Sequence, residues 1–155
     1  MRQTQTTAPR AYGFGVRVPV PYEAAVAATR AALTAQGFGI LTEIDVQKTM
    51  KEKLDAAVRP YVILGACNPA LAHRALEADP GVGLLLPCNV IVYDNGDGTS
   101  TVEALDPEAV LGIVGDNPAI ATIAQEAGAR LHRAVDSLGT DGPWRGTASG
   151  AQTAG

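Results

Sequence analysis

The sequence predicts an α+β fold, a largely antiparallel sheet of roughly five strands with the first and last helices packed on one face. Asn95-Gly96-Asp97-Gly98 lies between two strand-like runs, and Asn-Gly and Asp-Gly supply the positive φ angles that a hairpin needs. Tyr12–Val18 (YGFGVRV) alternates with the period of a strand. The helical segments are too unevenly spaced for regular βαβ alternation, which excludes a doubly wound parallel sheet.

A length of 155 residues fits one domain, expected over 11–139 between disordered segments at 1–10 and 140–155. Hydrophobic residues make up 46% of the chain, enough for a core. The net charge of −4 gives no general attraction to nucleic acid or to an anionic membrane. The polar start MRQTQTTAPRAY has no apolar signal region, and no apolar run approaches the ~20 residues of a membrane span. A cytoplasmic location is therefore expected, where two cysteines remain thiols more often than they bridge.

In the first strand Tyr12, Phe14, Val16 and Val18 share a side, and Gly13 and Gly15 on the other leave room for close packing of a neighbour. Pro19 and Pro21 end it. Tyr22–Gln36 is the first helix, with Tyr22, Ala25, Val26, Thr29, Leu33 and Gln36 on one face. Gly37 is placed for a left-handed C-cap, and Phe38–Ile44 is the second strand. Asp45 caps a short helix through Leu54, with Val46, Met50 and Leu54 as its apolar stripe. Lys48, Lys51 and Lys53 read first as a solvated face and second as a basic ligand patch.

Tyr61–Leu64 suits a buried strand that ends at Gly65-Ala66-Cys67. Asn68 and Pro69 form an N-cap and first helical position, followed by Leu71, Ala72, Ala75 and Leu76 at helical spacing. Asp79-Pro80-Gly81 stops that helix. Gly83–Leu86 is a second apolar run, Pro87-Cys88-Asn89 interrupts it at a bulge or strand edge, and Val90–Tyr93 resumes as strand. Thr99–Leu105 is the return strand, with Val102 and Ala104 facing away from Thr101 and Glu103. Asp106-Pro107 opens a short helix to about Val114, and Asn117-Pro118 opens the last one, whose apolar face runs from Ile120 to Leu138. Gly128 costs that helix about 1 kcal/mol relative to alanine, which close packing would explain. Trp144 either packs on the domain or is a stray aromatic in the tail.

LGACNPALAHRALEADPGVGLLLPCNV, preceded by FGILTEIDV and KEKL, resembles the domain of unknown function 302 family. The resemblance runs from about Tyr12 to about Leu138, and its specific motifs are Cys67-Asn68-Pro69, the Leu71-Ala72-His73 neighbourhood and Leu86-Pro87-Cys88-Asn89-Val90. It implies a small α+β fold and a homodimer, and it implies no activity.

Two functions are compatible with these residues. The first is a small-ligand or metal-binding module lined by Cys67, Asn68, Cys88 and Asn89. Its metal version takes Cys67 and Cys88 with His73 as a third ligand, a soft donor set suited to Cu(I) or Zn. Two sulfurs per chain close such a site only with a second copy or a ligand. The alternative is a thiol-dependent redox or sulfur-handling enzyme using Cys67 and Cys88. A cysteine just before a helix N-terminus is expected to have a lowered pKa. The plain alternative is that both cysteines are small buried hydrophobes and both asparagines only satisfy turn backbone. No motif names a cofactor or a substrate.

Overall fold

A computed structural model describes residues 10–139 and 142–144 of the chain. The expectations for residues 1–9 and for most of the segment after Gly139 lie outside the described residues. Five strands form one antiparallel sheet: β1 (Gly13–Val18), β2 (Gly39–Asp45), β3 (Tyr61–Cys67), β4 (Cys88–Asp94) and β5 (Ser100–Leu105), in the order β1-β5-β4-β3-β2. The α-helices among the described residues are α1 (Tyr22–Ala35), α2 (Val46–Leu54), α3 (Pro69–Ala78), α4 (Pro107–Leu111) and α5 (Pro118–Asp136). The α+β expectation is met. Among the described residues no helix is long and apolar enough to cross a membrane.

The pleat divides the sheet into two faces of different character. Val16, Val18, Leu64, Val90, Val92 and Val102 point at α1 and α5 and are buried, together with Leu33 and Leu131. Each such side chain contributes roughly 1.5–3 kcal/mol of apolar burial. Trp144 is partly buried against this core. A second cluster joins α3, α4 and α5 through Leu71, Ala75, Leu111, Ile120 and Ile123.

Local chemistry sets the helix starts. The side-chain oxygens of Asp45, Asn68, Asp106 and Asn117 each accept backbone N–H bonds from the following turn, and α3, α4 and α5 begin with proline. The β4–β5 hairpin turns through Gly96 and Gly98, both at positive φ.

Three expectations are corrected. Gly83–Leu86 is not a strand: Pro80–Leu85 forms a 3-10 helix started by Asp79, whose Oδ1 accepts the Gly81 N–H at 2.9 Å. Val82 is buried there and Leu84 is 92% exposed. Leu76 and Leu54, both assigned to apolar stripes, are exposed. Helix α2 has no buried side chain at all.

Candidate functional site

Antiparallel pairing of β3 with β4 brings Cys67 and Cys88 to the same end of the sheet, with Ala66 as the register partner of Cys88. Directly opposed residues share a face, and the next residue along a strand takes the other face. Cys88 therefore points with Ala66 into the helix-covered core, while Cys67 belongs to the opposite face. Both are free thiols. Burial pushes the Cys67 thiol up, not down. Burial, and secondarily Cys67, push Cys88 up to about 11. The helix end gives Cys67 little help: Pro69 has no N–H, and the Leu71 N–H is taken by Asn68 Oδ1 at 3.2 Å.

Asn68 is thus a cap. His73 is exposed on α3, with Nε2 3.6 Å from Glu77 Oε1. Among the described residues no three of His, Cys, Asp and Glu are arranged to hold a metal ion. Lys48 and Lys51 are exposed and lie beside Glu52 of the same helix and Asp55 just past its end. Asn89 differs from the other three candidates. It is exposed on the face away from α1 and α5, where it lines a concavity.

That concavity has a volume of about 700 Å³ and lies between α2 and the uncovered face of the sheet. Val46 and Met50 of α2 face Tyr61, Ile91 and Tyr93 across it. The Tyr61 and Tyr93 rings stack at 5.5 Å, as expected of register partners on neighbouring strands. Burial, and after it the negative charge of Glu103, push the Tyr61 hydroxyl pKa up. At the hairpin end the Arg59 guanidinium sits 5.7 Å from the centre of the Tyr93 ring and donates to the Asp94 carbonyl at 3.4 Å.

Glu103 is the unusual member of the lining. It is a carboxylate 6% exposed in the middle of β5, opposite Gly15 on one side and Ile91 on the other. An unpaired charge at that depth is costly. Its partner is Arg10, whose Nε donates to Oε1 at 3.1 Å from the start of the described chain. Glu103, and after it Tyr12, push the Arg10 pKa up. Arg10, expected in a disordered segment, in fact bridges to Gly13 and covers Glu103. Gly15 makes the arrangement possible, because a Cβ there would stand 2.5 Å from Glu103 Cγ.

The sequence reasoning missed this site, although two signals for it were present. Alternation in STVEAL puts Glu103 on the face opposite Val102 and Ala104. The hairpin then pairs Ile91 with Glu103 and Tyr93 with Thr101, which assembles the same face.

A family model described as "Domain of unknown function DUF302" matches residues 14–138. Among solved structures, the chain is similar to one titled "Crystal structure of uncharacterized conserved protein DUF302 from Bacillus stearothermophilus". The two share 30% sequence identity over 82% of this chain and 98% of that one, with a TM-score of 0.74. No curated protein matches the chain.

Proposed function

We propose, from the premise that this chain belongs to the DUF302 family, that it is a small-ligand binding module whose site is the open sheet face under α2. The observation that carries this is the concavity of about 700 Å³, apolar and aromatic along its floor and wall, with a buried carboxylate at one side. Such a combination of shape, apolar area and a few convergent polar groups is what a small-molecule site requires. Tyr61, Ile91 and Tyr93 supply the floor, Met50 and Val46 the wall, and Asn89 a rim hydrogen-bonding group. Of the Cys-Asn residues, Asn89 keeps a place in the proposed site. Cys88 serves the core, Asn68 the helix cap, and Cys67 the end of β3. Chemistry at a thiol pair has less support, since the two side chains take opposite faces and burial raises both pKa values. The unbridged thiols fit the proposed cytoplasmic location.

Isothermal titration with phenethyl alcohol, a neutral arylalkyl probe, tests the site. Met50→Glu places a charge in the wall without touching a buried side chain of α2, and it should weaken binding by about tenfold or more. Cys67→Ser should leave the affinity unchanged. Equal binding by wild type and Met50→Glu, with loss in Cys67→Ser, would return the site to the cysteines.

A homodimer is also proposed. Strand β2 is an edge of the sheet, and it exposes Leu41 at 65% and Ile44 at 47%. An exposed apolar edge strand is a ready template for a second copy. Light scattering at micromolar concentration should return the dimer mass, and a charge at Leu41 (Leu41→Lys) should return the monomer. A wild-type monomer under those conditions removes the proposal.

A further inference from the structure

Glu103 poses a question that the rest of the fold does not answer. Glu103 is the buried carboxylate of the open face, and an apolar residue at 103 would pack beside Ile91 at no electrostatic cost. The chain instead places a carboxylate there, 6% exposed, and keeps position 15 as glycine so that its side chain fits. Its counter-ion is weakly built. Arg10 comes from the chain just before β1, its side chain is 47% exposed, and it makes a single bond to the carboxylate, from Nε to Oε1, with the Tyr12 side chain as its second partner. Among the described residues Glu103 Oε2 accepts no hydrogen bond, and Glu103 lines the concavity. A half-exposed ion pair with one bond to the carboxylate is easily exchanged, because water competes with it and the guanidinium does not grip both carboxylate oxygens.

We infer that the concavity takes an organic cation, an arylalkyl- or alkylammonium, which seats its charge on Glu103 in the place Arg10 occupies and its apolar body on Tyr61, Tyr93 and Ile91. This inference rests on the open-face site proposed above and names its ligand class. Arg10 is then a built-in occupant, a tethered guanidinium that holds the carboxylate in the absence of ligand and competes with ligand for it. Tyr61 and Tyr93 suit the role, since their paired rings offer apolar area to the ligand's hydrocarbon part while Glu103 holds its charge. Arg59 does not contest the carboxylate, because its guanidinium is turned to the Tyr93 ring and the Asp94 carbonyl.

Three probes of one shape separate the possibilities by isothermal titration on the full chain: phenethylammonium, phenethyl alcohol and phenylacetate. The ammonium should bind wild type more tightly than the alcohol. Arg10→Gln removes the competing charge and should tighten the ammonium by about tenfold, while leaving the alcohol within about twofold. Glu103→Gln, an isosteric change that keeps the shape of the site, should abolish the preference for ammonium over alcohol. Circular dichroism identifies any variant that fails to fold, and the wild-type preference series stands without either variant. Equal binding of ammonium and alcohol, or tightest binding of phenylacetate, overturns the cation and leaves the open-face site in place. Failure of all three probes to bind overturns the open-face site, and the cation with it.

Discussion

Gly15→Ala isolates the contact that lets a carboxylate lie on the open face. A Cβ at position 15 would stand 2.4 Å from the Val102 carbonyl oxygen, 2.5 Å from Glu103 Cγ and 3.0 Å from Glu103 Cα. Unstrained contacts of this kind lie near 3.5–4.0 Å, so the methyl demands a movement of about 1 Å. Two of the three atoms are backbone in β5, which is held on both sides by β1 and β4. Rotation of the Glu103 side chain therefore relieves only part of the clash. Overpacking of this type costs roughly 1–3 kcal/mol, and the backbone contacts place Gly15→Ala at the upper end. For a chain of this length each kcal/mol moves the melting temperature by roughly 2–4 °C, so a fall of about 6–12 °C is expected. Urea denaturation followed by circular dichroism gives the free energy, and a thermal scan gives the melting temperature. An unchanged midpoint in both would show that β1 and β5 do not approach as described, and would remove the support for Glu103.

The same substitution at Gly128 should have the opposite sign: its Cβ would meet Glu108 Cγ and Pro107 Cδ at 3.8 Å, which is ordinary contact. Gly128→Ala should stabilise the protein by about 1 kcal/mol through helix propensity, and a lowered urea midpoint would count against it. Asn68→Ala should cost about 1 kcal/mol by the same assay, as the loss of a helix cap, and a change near zero would deny the capping bond to Leu71. Cys88 predicts a pH dependence. Its thiol is raised from 9.0 to about 11 in the folded chain, so the unfolded chain loses its proton first as pH rises. The protection is complete below about pH 9 and is lost as pH rises through about pH 11, a difference of roughly 2–3 kcal/mol at most. Denaturation midpoints measured across that window should fall in wild type and fall less in Cys88→Ala, and identical slopes would contradict the burial of the thiol.

The sheet was legible in the sequence because its signals are local. Asn95-Gly96 announces the hairpin, YGFGVRV alternates, and four Asp or Asn residues cap helices before proline or a short apolar stripe. Gly83–Leu86 misled because a short apolar run has no period of its own, and Asp79-Pro80-Gly81 starts a new turn as readily as it ends a helix. The cysteines were legible as neighbours along the sheet. Their division between faces follows from register, which Ala66 opposite Cys88 fixes and the sequence does not print. Glu103 illustrates the same limit. As a glutamate on the polar side of an alternating strand it reads as a solvated residue. Only the arrival of Arg10 from the chain before β1, and the space left by Gly15, bury it.

Amide chemical-shift mapping of the isotope-labelled protein with phenethyl alcohol tests the central claim most directly, since it locates a bound probe without altering a residue. The largest shifts should gather at Tyr61, Ile91, Tyr93 and Glu103 and on α2 at Met50, with Leu71 and Cys88 undisturbed. Shifts centred on Cys67, Asn68 and Cys88, with the open face silent, would contradict it.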